Sequence, residues 1–102
     1  MDIKFSVSGG VLYLYFYGEL DDHSVKQSKE IIDGIIDKNC QVRSVVFNLA
    51  ELTFMDSTGV GLIIGRYKKL KKMGIKAYIK SPPFNIQKVI EVCGLYEIMP
   101  RI

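Results

Sequence analysis

Within this 102-residue chain, the residues best suited to chemistry by type and spacing are Asp56-Ser57-Thr58, followed at once by Gly59-Val60-Gly61. A carboxylate and two hydroxyls in succession can cap a helix, receive a phosphoryl group or, given a base, supply a nucleophile. Behind them Val60, Ile63, Ile64, Tyr67 and Leu70 follow the three-four spacing of one buried helical face. Arg66, Lys68, Lys69, Lys71 and Lys72 fall opposite, read as a solvated face whose cations suit the helix C-terminus, and Gly74 stops the helix. Either Asp56 or Ser57 can act as N-cap. Gly59 and Gly61 each cost about 1 kcal/mol of helix propensity relative to alanine. They imply either bare backbone for an approaching partner or a helix lying close to its own sheet.

Other chemistries find weaker support. No glycine stands two residues before Ser57, so the nucleophile-elbow pattern is missing, and His23 is the one histidine available as a base. Asp56-Ser57-Thr58-Gly59 carries an extra residue relative to the aspartic-protease triplet, and one copy supplies no dyad. Gly59-Val60-Gly61 with Gly65 is one residue off the dinucleotide fingerprint, and no P-loop lysine follows. Asp21-Asp22-His23 contains metal-ligand types, but neighbouring side chains at a helix start diverge. A capped helix entrance, with Asp22 or a polar neighbour as N-cap, explains those acids. Cys40 and Cys93 lack metal-ligand spacing and read as small core residues. No metal, cofactor or catalytic residue is expected.

The elements that must position Ser57 follow from periodicity. Ile3, Phe5 and Val7 alternate in a half-buried strand, Gly9-Gly10 turns it back, and Val11 to Tyr17 completes a hairpin. Leu12, Leu14 and Phe16 share one face of that second strand, and Tyr13, Tyr15 and Tyr17 the other; the tyrosine stripe reads as cross-strand packing, with an interaction surface as its alternative. A helix buries Ile31, Ile32, Ile35 and Ile36. Val45-Val46-Phe47 suits a strand buried on both faces, which feeds a loop from Leu52 into the helix after Asp56. Ile75 to Lys80 returns as a parallel strand, placing Ser57 at the carboxyl end of the sheet. After Ser81-Pro82-Pro83 a short helix carries Phe84, Ile86, Val89, Ile90 and Val92 to Gly94, and Leu95 to Met99 reads as an edge strand.

Length fits one α/β domain over residues 1–102, a mixed, mostly parallel sheet of four to five strands with an N-terminal hairpin and three helices. With 48% hydrophobic and 25% charged residues, the composition excludes a disordered chain, and no apolar run approaches membrane length. The net charge of +3 belongs to the basic helix face, without the arginine stripe or aromatic platform of a nucleic-acid binder. The start Met1-Asp2-Ile3-Lys4 lacks a secretory pattern, which predicts a cytoplasmic protein.

The stretch NLAELTFMDSTGVGLIIGRYKKLKKMG, with Gly18-Glu19-Leu20-Asp21 and Cys93-Gly94-Leu95, resembles the single-domain STAS proteins that act as anti-sigma factor antagonists, above all their sporulation branch. The resemblance implies partner switching in transcription regulation. In its terms Ser57 is phosphorylated by an anti-sigma factor that is also a serine protein kinase, and a serine phosphatase reverses this. Asp21, Asp56, Ser57, Thr58 and Val60 are the implied partner contacts, on a free monomer that binds neither nucleic acid nor membrane. Sporulation members continue into a further C-terminal helix for which this sequence has no residues.

Overall fold

The computed structural model describes all residues, 1–102. Strands β1 (Asp2–Ser8) and β2 (Val11–Leu20) form the expected antiparallel hairpin, from Asp2 opposite Tyr17 to Ser8 opposite Val11. Gly9 and Gly10 both take positive φ, 60° and 78°, the requirement of a two-residue turn that matches strand twist. Helix α1 (Val25–Lys38) crosses to β3 (Ser44–Asn48), parallel to β2. Strand β4 (Leu52–Met55) and helix α2 (Ser57–Lys72) then lead to β5 (Lys76–Lys80), parallel to β3. Helix α3 (Phe84–Val92) and a 3-10 turn at Leu95–Glu97 follow.

The sheet order is β1-β2-β3-β5, with β4 paired to the far end of β2. Both parallel crossovers advance in the same direction across the sheet, so right-handed connections put α1 and α2 on one face, where they touch. Leu12, Leu14 and Phe16 of β2, Val45 and Phe47 of β3, and Ile79 of β5 are buried beneath them. Phe16 and Phe47 stack at 6.0 Å between ring centroids. Tyr13, Tyr15 and Tyr17 lie half-buried on the opposite face, where Lys4 sits 5.5 Å from the Tyr17 ring and Ser6 Oγ meets the Tyr15 hydroxyl at 3.2 Å.

Several sequence expectations are corrected. Leu52–Met55 is a strand, not a loop, because its backbone pairs with Gly18–Leu20 after a bulge at Gly18/Glu19. Leu95 to Met99 is not an edge strand: Gly94, at φ 69°, ends α3, and Leu95 and Met99 bury together one turn apart, with the Met99 N–H donating to the Leu95 carbonyl at 2.9 Å. The chain meets β5 only beyond Met99, where a single bridge sets Arg101 beside Ile79, the Ile79 N–H donating to the Pro100 carbonyl and the Ile102 N–H to the Ile79 carbonyl. Ile31 is exposed, so the core face of α1 is Ile32 and Ile36, with Ser28 in line one turn earlier. Phe84 and Val92 are exposed rather than core. Cys40 and Cys93 are exposed free thiols, since each follows a helix end and no element packs over it.

Arg66 is the largest correction to the helix face. It is 8% exposed, because α1 packs alongside α2 and offers Asp33, 3.1 Å from Arg66 Nε. The two atoms face each other off the hydrogen-bond axis, so charge rather than an aligned hydrogen bond holds the pair. Lys69 reaches both Asp33, at 3.6 Å, and Asp37, at 2.9 Å.

Candidate functional site

Ser57 is the first residue of α2, and the choice of cap falls to Asp56. Asp56 holds an extended backbone, and its Oδ1 accepts from the N–H groups of Thr58 at 3.0 Å and Gly59 at 3.1 Å. Two orphan donors of the first turn are thereby satisfied by one carboxylate. Ser57 and Thr58 are both exposed. Ser57 therefore presents a hydroxyl that the helix start does not need.

The carboxyl end of the sheet brings the Asp21 loop to this helix start. Leu20 pairs with Met55 in the parallel β2–β4 register, so the chain leaves both strands side by side as Asp21 and Asp56. Gly59 makes the contact tight. A Cβ on Gly59 would stand 2.6 Å from the Leu20 carbonyl oxygen and 2.8 Å from Met55 Cγ. A Cβ on Gly61 would meet nothing within 4 Å. The two readings of the glycines are thus divided between them: Gly59 lets the helix lie close to its own sheet, and Gly61 leaves bare backbone on the surface.

Asp21 is only half-exposed and has work inside its own loop. Its Oδ1 accepts from the N–H groups of His23 at 3.0 Å and Ser24 at 3.2 Å, while Ser24 Oγ accepts from the Asp21 N–H at 3.1 Å and donates to the Glu19 carbonyl at 2.9 Å. Asp22 is not the cap of α1: the N-cap position is Ser24, whose side chain is turned back into the loop. Val60 is 3% exposed and belongs to the core cluster, so as a surface contact it is corrected: helical spacing turns it under the sheet while Ser57 and Thr58 face out.

A neighbour escaped the sequence reading. Asp56, Ser57, Lys88, Val89, Val92 and Cys93 line a shallow hollow of about 320 Å³ between the start of α2 and α3. Val92 is 87% exposed and Phe84 76%, with Lys88 Nζ 5.0 Å from the Phe84 ring. Phe54 of β4 is exposed too. A helical wheel carries the missing signal. Ile86 and Ile90 set the buried stripe, and positions two residues away point about 200° around the helix, which turns Phe84 and Val92 outward. Val92 held in solvent in the same hollow as a free hydroxyl, with Phe84 at the other end of its helix, has the make-up of a docking surface.

The model of the STAS domain family matches residues 2–102. The anti-sigma F factor antagonist of Paenibacillus polymyxa is 33% identical over 98% of this chain and 85% of its own length. The anti-sigma-B factor antagonist of Staphylococcus aureus is 32% identical over 80% of this chain and 74% of its own. The anti-sigma factor antagonist SpoIIAA, solved in its unphosphorylated form, superposes with a TM-score of 0.80 at 28% identity, covering 99% of this chain and 88% of that one. SpoIIAA from Bacillus in its phosphorylated form gives 0.71 at 29% identity, over 99% and 91% of the two chains.

Proposed function

Because the chain belongs to the STAS-domain family of anti-sigma factor antagonists, we propose that it is a phosphorylation-controlled binding module whose switch is Ser57. The unphosphorylated protein binds an anti-sigma factor through Asp56, Ser57, Thr58 and the Asp21 loop, and so releases a sigma factor. The anti-sigma factor is also the serine kinase that modifies Ser57, and a separate phosphatase restores the hydroxyl. The observation that carries this reading is the exposed Ser57 at the first position of α2, with Asp56 alone supplying the cap.

Phosphorylation adds about two negative charges and three acceptor oxygens beside the Asp56 carboxylate. A phosphate at a helix start is normally favoured by the helix dipole, but here Asp56 already takes the Thr58 and Gly59 N–H groups. The added charge therefore meets repulsion from Asp56, with Lys88 the one cation lining the same hollow, in a surface that must shed water to dock. Exposed Val92, lining the same hollow, deepens that cost, since apolar surroundings penalise a charge.

The protein itself carries out no chemistry in this reading, needs no cofactor, and acts as a monomer in the cytoplasm without contacting nucleic acid or membrane. No helix is long and apolar enough to cross a membrane. Similarity to the anti-sigma-B antagonist supports a second pathway assignment, general stress in place of sporulation, with the same switch. Mixing the protein with F-type and B-type anti-sigma kinases and ATP, then locating phosphate by mass spectrometry, tests all of this. Phosphate on Ser57 with one kinase, and loss of complex afterwards, is the expected result. Phosphate elsewhere, self-phosphorylation without any kinase, or unchanged binding after modification overturns it.

A further inference from the structure

The groove between α1 and α2 is built asymmetrically. On α1, Lys26, Lys29, Asp33 and Asp37 follow one another at helical spacing along the side that meets α2. On α2 they are matched in turn by Thr58, Gly61, Gly65 with Arg66, and Lys69. The half far from Ser57 is neutralised within the protein, Asp33 by Arg66 and Lys69, and Asp37 by Lys69. The near half has no such balance. Lys26 and Lys29 take part in none of the ion pairs and face Thr58, Gly61 and Gly65, where α2 offers no acid. Arg66 closes the floor, buried, with no aligned hydrogen bond to its Nε. The resulting trough, about 440 Å³, is edged by cations and bottomed by bare backbone, since a Cβ on either Gly61 or Gly65 would meet nothing within 4 Å.

Two positions in the middle of a helix where alanine would fit and add stability are instead glycine. A requirement on the folded chain alone does not account for them. Absence of side chains there lets a second backbone approach at close range, and the lysines on the rim specify its charge. Thr58 belongs both to this trough and to the Ser57 surface, so one docked partner spans the two. The geometry points to the α1–α2 trough as the seat of an acidic helical segment of the binding partner, its carboxylates placed toward Lys26 and Lys29. This deepens the proposed function by naming the chemistry of the partner's contacting element.

The test is an amide-resolved NMR titration of the whole protein with an alanine-based peptide of about 18 residues, long enough to be helical, bearing Glu along one face. A second peptide carries Gln in place of each Glu, and inorganic phosphate is titrated alone. Saturable shifts at Lys26, Lys29, Gly61 and Gly65 with the Glu peptide only are expected. Lys26→Glu with Lys29→Glu should weaken that binding at least tenfold, whereas the charge-matched pair Lys68→Glu with Lys72→Glu should leave it unchanged. Gly61→Ala with Gly65→Ala should raise the melting temperature yet weaken binding at least fivefold, which a structural role for the glycines does not predict. Shifts spread over Lys68, Lys71 and Lys72, equal loss in the two charge-reversed pairs, or saturation by phosphate with no response to the Glu peptide overturns the proposal. Absence of any anti-sigma kinase that modifies Ser57 would sink the function reading while leaving the peptide result to stand.

Discussion

Removing the Asp56 carboxylate should cost more stability than removing the Ser57 hydroxyl, although Ser57 is the residue proposed to switch. In Asp56→Ala both first-turn donors lose their acceptor. The Thr58 N–H belongs to an exposed residue and finds water, but Gly59 is buried against Leu20 and Met55, so its N–H is the costly one. Loss of an N-cap amounts to about 0.5–2 kcal/mol, and a buried donor left unpaired costs about 1–3 kcal/mol. The two overlap, giving about 2 kcal/mol. For a domain of this size that corresponds to roughly 8–16 °C in melting temperature. Asp56→Asn keeps a capping oxygen and loses only the charge at the helix start, about 0.3–1 kcal/mol. Ser57→Ala should stay within about 0.5 kcal/mol of the parent. Urea melts of the three variants decide the matter. A loss in Ser57→Ala equal to that in Asp56→Ala would mean that the serine caps the helix and that its hydroxyl is not free to be modified.

The two motif glycines should respond oppositely in the same melts: Gly59→Ala should lose about 1–3 kcal/mol by pressing on the Leu20 carbonyl, and Gly61→Ala should gain up to about 1 kcal/mol. Asp33→Ala, which strands the buried Arg66, should cost about 1–3 kcal/mol, less than a fully buried pair because the Asp33 side chain is 25% exposed; Lys69→Ala should cost at most about 1 kcal/mol. Both thiols should react with a thiol-specific reagent in native buffer, and protection of either until denaturant is added would contradict its exposure. Ser57→Asp should bind the anti-sigma factor more weakly than Ser57→Ala, measured by calorimetric titration with both variants folded; equal binding would remove charge at this position as the switch.

How much of this was legible in the sequence depends on which contacts a single element can report. Alternation in Val11 to Tyr17 and the run Val45-Val46-Phe47 reported their own burial, so the hairpin, the parallel unit and the three helices were readable from periodicity. Arg66 was not, because its burial depends on Asp33 of another helix, and no pattern within α2 distinguishes it from Lys68 or Lys72. Leu52–Met55 reads as a loop for a related reason: its four residues bury Leu52 and Met55 and expose Thr53 and Phe54, with no alternation to report a strand, and what makes it one is the backbone of Gly18–Leu20. Ser57 and the Asp21 loop were both picked out, yet their adjacency comes from that same missed pairing. Phe84 and Val92 were readable in principle and misassigned by counting apolar residues without their angle.

The same pairing bears on the position of the proposed switch. With β4 added beside the end of β2, two strands deliver Asp21 and Asp56 to one edge, and each carboxylate is then spent on its own loop's N–H groups. The Asp56 hydrogen bonds hold the backbone that follows Ser57 without using its hydroxyl, and those of Asp21 hold the neighbouring loop. In the proposed switch the fold holds still, and what changes is whether a surface bearing Ser57 and Val92 can lose its water when a partner closes over it.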